Sequence, residues 1–147
     1  MRGKRGQFYL LAAIIIITLI FGFVTISNYS YKKTSINLGD LKEEIEIESQ
    51  NVISYDSTEL GNFVYDFSQY AGDNKNLYFI FGTPGALTVK AYEDHSDVSG
   101  DYTATQSGGE ILITIDEVEY EFDLLSGQNF YFIVSQEIEG EKYIVTG

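Results

Sequence analysis

Leu60-Gly61-Asn62-Phe63-Val64-Tyr65-Asp66-Phe67-Ser68-Gln69-Tyr70-Ala71-Gly72-Asp73-Asn74-Lys75-Asn76-Leu77-Tyr78-Phe79-Ile80-Phe81 decides the fold class, because the hydrophobic period changes within it. Leu60, Phe63, Val64, Phe67 and Tyr70 follow the i, i+3, i+4, i+7 spacing of an amphipathic helix, which predicts a helix over residues 58–70. Asp73-Asn74-Lys75-Asn76 then reads as a turn. Residues 77–81 form an aromatic, apolar run of strand length, stopped by Gly82-Thr83-Pro84-Gly85 with the only proline in the chain.

Downstream, the strand pattern continues. Residues 86–92 read as a second strand, and 93–109 as a polar loop with a short strand over 101–105. Ile111, Ile113 and Ile115 alternate, Asp116-Glu117 turns, and Val118, Tyr120 and Phe122 alternate against Glu119, Glu121 and Asp123. That is a hairpin with one buried and one solvated face; without glycine in its turn, the turn type stays open. Ser126-Gly127 and Glu139-Gly140 separate two further strands over 129–138 and 142–146.

Upstream, Gly39 followed by Asp40 suggests an interruption and a helix N-cap at Asp40. Leu41, Ile45, Glu48 and Val52 would share one helix face, extended by Leu38 and Tyr55, with Glu43, Glu44 and Glu46 turned mostly away. Ile45-Glu46-Ile47-Glu48 also alternates as a strand would, but the length of the segment favours a helix. One or two helices followed by a meander of five or six strands predict an α+β domain, with the helices packed on one face of an antiparallel β-sheet.

The N-terminal part is of a different kind. Residues 8–26 carry no charge, and only Thr18, Gly22 and Thr25 interrupt the large or apolar side chains. A helix of that length covers about 28 Å, close to the hydrocarbon thickness of a bilayer. The uncharged region as a whole spans 7–31, and Lys32 and Lys33 follow it. Arg2, Lys4 and Arg5 precede it, which favours a cytoplasmic N-terminus and a C-terminal domain over 32–147 outside the cell. All 22 carboxylates fall from Asp40 onward, opposed there by Lys42, Lys75, Lys90 and Lys142 alone. So acidic a surface repels phosphates and argues against nucleic-acid partners. The absence of cysteine removes disulfides, thiol chemistry and lipoprotein acylation, so stability must come from the core, to which 10 Phe and 12 Tyr can contribute.

A cleaved secretory signal would have a shorter apolar region and small residues at its cut, whereas Ile26-Ser27-Asn28-Tyr29-Ser30-Tyr31 follows here. An uncleaved signal anchor fits the charge and length. A third reading rests on Lys4-Arg5-Gly6-Gln7 placed directly before the apolar stretch, which resembles the class III signal peptides of archaeal type IV pilin-like precursors. The resemblance implies that a prepilin-type peptidase cuts between Gly6 and Gln7, removing the basic leader 1–6. It implies that Phe8, Leu11, Ile15, Thr18, Leu19, Gly22 and Ile26 belong to a helix that spans the membrane or lines a filament core. Many pilins carry glutamate at the fifth mature position, where Leu11 stands here. The implied fold is pilin-like, a long N-terminal helix leading to helices on an antiparallel sheet. The implied partners are membrane lipid, copies of the chain or other pilin-like subunits, and the peptidase.

Chemistry-bearing motifs are few. His95 is the only histidine, and no G-x-S-x-G, H-E-x-x-H or P-loop pattern occurs, so no catalytic residues, cofactor or metal site are assigned. The loop 93–101, with Glu93, Asp94, Asp97 and Asp101, is oxygen-rich enough to suit calcium but lacks EF-hand spacing. Asn28-Tyr29-Ser30 is an N-glycosylation sequon, usable if exported, close to the membrane. Thr18 and Gly22 form a small-xxx-small pair that would allow close helix contact.

Overall fold

The computed structural model describes residues 37–98 and 102–147, all within one compact unit. The domain is α+β, with helices packed on antiparallel sheets. Helix α1 (Leu38–Asp56) is followed by a 3-10 turn (Ser57–Glu59) and helix α2 (Leu60–Tyr70). Eight strands follow among the described residues: β1 (Lys75–Thr83), β2 (Ala86–Glu93), β3 (Ser96–Asp97), β4 (Tyr102–Ser107), β5 (Glu110–Ile115), β6 (Val118–Asp123), β7 (Asn129–Ile138) and β8 (Glu141–Thr146).

The strands do not form the single meander of five or six that the sequence suggests. They divide into a five-stranded sheet of order β3-β2-β1-β7-β8 and a three-stranded sheet of order β4-β5-β6. The physical reason lies in β1 and β7, whose apolar residues are continuous rather than alternating, as befits strands covered on both faces. Leu77 and Phe79 on β1, with Phe132 and Val134 on β7, pack toward Leu41, Ile45, Val64 and Phe67 of the helices. Tyr78 and Ile80, with Ile133, pack the opposite way, against Ile111, Ile113 and Ile115 of the small sheet. β7 therefore returns to pair with β1 rather than with β6, and the small sheet closes over the second face.

Local chemistry sets the element boundaries. Helix α1 starts one turn earlier than expected, because Asn37 and not Asp40 is the N-cap: its side chain accepts from the Gly39 N–H at 3.1 Å. Gly39 thus lies inside the helix, and Asp40 sits in the first turn, where a carboxylate favours the dipole. The buried face runs through Leu38, Leu41, Ile45 and Ser49; Glu48 points to solvent, and Tyr55 is 94% exposed. A helix advances about 100° per residue, so Ser49, four after Ile45, stays closer to the stripe than Glu48. Asp56 ends α1 and accepts from the Thr58 N–H (3.0 Å) and hydroxyl (2.7 Å), which turns the chain into α2 two residues later than the apolar spacing suggests. Those same two bonds hold the Asp56 carboxyl below its usual range.

Aromatic rings join the helices to the central sheet. Phe63 lies 5.7 Å from Phe67 and 6.0 Å from Phe130, and Phe79 sits 6.4 Å from Phe67 and 6.1 Å from Phe130. Tilted and edge-on pairs at these separations add to the area they bury. Phe122 stacks on Tyr131 at 4.8 Å, which ties the small sheet to β7. At the β1–β2 hairpin, Pro84-Gly85 forms a two-residue turn with Gly85 at φ 80°, as a type II turn requires. Gly82 has φ 130°, and a Cβ there would collide with the Ala86 carbonyl oxygen.

Asn129 anchors the loop that leads into β7. Its amide donates to the carbonyls of Gly82 (3.2 Å), Leu125 (3.0 Å) and Gly127 (3.0 Å), and its oxygen accepts from the Leu125 N–H (2.8 Å). The side chain is buried, so truncation would leave several backbone groups without partners. Asn129→Ala is expected to lower stability by about 3 kcal/mol, at roughly 1 kcal/mol for each of the two amide N–H donors and the one accepting oxygen. Urea unfolding of the full chain in mild detergent checks this, and a midpoint equal to that of the parent would refute it.

Candidate functional site

Four tight turns meet at one end of the domain. The β2–β3, β5–β6 and β7–β8 hairpins each turn in two residues, and in each both central residues have positive φ: Asp94 (43°) and His95 (66°), Asp116 (50°) and Glu117 (66°), Glu139 (54°) and Gly140 (81°). This is the turn geometry that matches strand twist, and it answers the open question of the Asp116-Glu117 turn. Asn74 (φ 59°) makes the fourth bend, just before β1. Aspartate and asparagine tolerate this conformation through local hydrogen bonds, so the turns are rich in carboxylates.

Between these turns lies a groove of about 600 Å³. Its floor is polar sheet surface. Asn76 pairs in register with Glu93 on β2 and with Ser135 on β7, and one pleat further along the same face lie Ala91, Tyr78 and Ile133. The small sheet covers those three but stops short of Asn76 and Ser135, and its Asp116 turn forms one wall. Asp94, Glu137 and Glu139 complete an acidic rim, with Lys142 as the sole lining cation.

The hydrogen bonds around the groove leave most oxygens available. The Asn76 amide donates to Glu93 Oε1 at 3.0 Å, the Asn74 N–H donates to Asp94 Oδ1 at 2.8 Å, and Lys142 Nζ donates to Asp116 Oδ2 at 2.7 Å. The last pair is largely exposed and stabilises by less than about 1 kcal/mol, yet it links β8 to the small sheet. Ser135, 5% exposed, lines the groove beside Asn76. The groove is thus arranged to accept hydrogen bonds and positive charge.

The oxygen-rich loop 93–101 does not assemble as a calcium cage. Asp94 accepts from Asn74, Asp97 pairs with Lys90 at 3.5 Å, and His95 turns toward α2. Among the described residues no group of three or more His, Asp or Glu side chains converges on a metal position. Asp101 lies outside the described residues.

His95 serves as a tie between the β2–β3 hairpin and the end of α2. Its Nδ1 lies 2.8 Å from the Ser68 carbonyl oxygen and its Nε2 lies 2.9 Å from Asp73 Oδ1, while Gln69 donates to the His95 carbonyl at 2.9 Å. Both ring partners are acceptors. A neutral imidazole can donate to only one of them, whereas the imidazolium donates to both. The Ser68 carbonyl first, and Asp73 second, therefore raise the His95 pKa above its ordinary value. A lone histidine in a polar loop carries no sequence signal for this role. Lys75 is a second hidden cation, 2% exposed on the helix side of β1; burial lowers its pKa and Asp73 partly opposes that.

The leader residues Lys4, Arg5, Gly6 and Gln7, the apolar residues Phe8, Leu11, Ile15, Thr18, Leu19, Gly22 and Ile26, and the sequon at Asn28 lie outside the described residues. Among the described residues no helix is long and apolar enough to cross a membrane.

The raised His95 pKa has a definite sign. Its contribution to stability is fully present below pH 6.5, the ordinary value, and is lost as pH rises through the higher folded value. NMR titration of the His95 ring is expected to give a midpoint above 6.5, and His95→Gln is expected to remove that loss of stability. A midpoint at or below 6.5 would contradict the two-acceptor arrangement. No family model, no curated protein and no solved structure matches this chain.

Proposed function

We propose that the protein is a structural subunit of a type IV pilus-like surface filament, with a structural rather than a catalytic role. The observation that carries this reading is the position of Lys4-Arg5-Gly6-Gln7 directly before the uncharged stretch 8–26. An α+β head with helices on an antiparallel sheet is compatible with it by analogy of plan, and analogy of plan alone does not fix function. In this reading a prepilin-type peptidase removes residues 1–6 on the cytoplasmic side. The apolar segments of neighbouring copies, and of other pilin-like subunits, then bundle out of the lipid, and the acidic heads coat the outside. Burial of apolar side chains drives the assembly, and loss of the basic leader removes charges that would resist it. Contacts of this kind are heterologous and open-ended, as a helical filament requires.

The acidic groove favours one alternative, a non-polymerising, signal-anchored binding or adhesion module displayed at the cell surface. Both readings keep the N-terminus cytoplasmic and the head outside.

The leader separates them. Intact-mass and terminal-peptide analysis of the protein from its native membrane or surface fraction is expected to find a chain starting at Gln7. Gly6→Val is expected to retain the leader and to abolish filaments seen by electron microscopy. A native chain that keeps residues 1–6 would sink the filament reading and leave the anchored module.

A further inference from the structure

We propose that the free edge of strand β8 is a contact between two copies of this chain, which pair antiparallel through β8 about a two-fold axis and join their five-stranded sheets into one. The inference goes beyond the filament reading and does not depend on leader cleavage, since an isologous contact closes on two copies and does not propagate. β8 is the last strand of the large sheet and pairs on one side with β7. Phe132 and Gly147 exchange both of their backbone hydrogen bonds, at 2.9 and 3.2 Å. In an antiparallel ladder such pairs alternate, so Val145, Tyr143 and Glu141 also turn their backbone groups to β7. Lys142, Ile144 and Thr146 therefore direct their N–H and C=O groups outward. Among the described residues the Thr146 carbonyl alone has a partner there, the Lys42 ammonium at 2.8 Å. No proline interrupts β8, and a row of unpaired groups of this kind is a template for another strand.

The side chains favour a second copy as the occupant. Most of the head is acidic and repels its own kind, but the charges of β8 are neutralised within each copy. Its one carboxylate, Glu141, accepts from the Tyr143 hydroxyl at 2.8 Å, and its one ammonium, Lys142, donates to Asp116 at 2.7 Å. Tyr143 and Ile144 are large apolar side chains left 46% and 39% exposed. The other edges do not match: β3 has two residues, β6 carries Glu119, Glu121 and Asp123, and β4 exposes only threonine, alanine, glutamine and serine. Centring the pairing on Ile144 uses every outward residue, since Ile144 meets Ile144 of the second copy and Lys142 meets Thr146 of the second copy. The same register sets Tyr143 opposite Val145 of the second copy, an aromatic and β-branched pair that the two-fold axis repeats. It also sets Glu141 of the second copy opposite Gly147, close to the Lys42 ammonium at the Thr146 carbonyl. No like charges on β8 face each other directly.

The test uses the full chain in detergent micelles. Because the chain has no cysteine, Ile144→Cys introduces the only thiol. Facing residues of a directly bonded antiparallel pair lie about 5.5 Å apart at Cα, within disulfide range. Mild oxidation is expected to link Ile144→Cys into dimers and to leave Thr105→Cys, at an exposed position on β4, as monomers. By sedimentation in density-matched detergent the parent is expected to show a monomer–dimer equilibrium. Ile144→Lys should weaken it about tenfold or more, by opposing like charges across the axis. Ile144→Pro should weaken it too, since it removes an N–H that makes no bond within the fold. Circular dichroism of each variant should match the parent. Equal cross-linking of the two cysteine variants, or a dimer that Ile144→Lys leaves intact, would overturn the proposal and assign association to the N-terminal segment. So would a parent that stays monomeric. A mixture of the two cysteine variants that yields only the mixed disulfide would overturn it in favour of a heterologous contact between β8 and β4.

Discussion

Burial of β1 and β7 on both faces is the constraint on which the rest of the domain depends. Each strand sends alternate side chains into two different cores, Leu77, Phe79, Phe132 and Val134 toward the helices and Tyr78, Ile80 and Ile133 toward the small sheet. A single helical layer would leave Tyr78, Ile80 and Ile133 in water, so the domain needs a cover on each side. Helices α1 and α2 supply one, and the β4–β6 excursion supplies the other. The return of β7 to β1 follows from the same need, since the two most apolar strands shield each other best at the centre.

The groove is a by-product of that layering. The small sheet is shorter than the strands it covers, and the polar remainder of the face lines the groove: Asn76, Glu93, Ser135 and Glu137. Turn chemistry then concentrates negative charge around it. Tight two-residue hairpins need positive φ, aspartate and asparagine accept it most readily after glycine, and several such turns lie at one end of the sheets. Lys142, the Asn76 amide and the Asn74 N–H offset part of the resulting repulsion. At the same end His95 fixes the β2–β3 hairpin to α2, so the rim is held from the helix layer as well.

The acidity of the head also bears on assembly. Exposed charges of one sign repel between neighbouring copies over roughly a Debye length, about 8–10 Å at ordinary salt. In the proposed filament, cohesion would come from the apolar N-terminal segment, with the acidic heads keeping the surface hydrated.

The sequence by itself determined the nature of most elements. The 3.6-residue period of Leu60, Phe63, Val64 and Phe67, the alternation of Ile111, Ile113 and Ile115, and the turn pairs Asp116-Glu117 and Glu139-Gly140 all reappear in the structure, because they report local geometry and one-sided burial. It also determined the charge of the head and the contrast with the segment before it. Only the tertiary structure decided which strands pair, since runs such as 77–81 and 130–134 carry no register information until both covers are in place. It alone brought Glu93, Asn76 and Ser135 into one row beside carboxylates from separate turns. Those residues are distant along the chain, and their proximity is set by pairing across strands, a long-range relation that no local pattern in the sequence encodes.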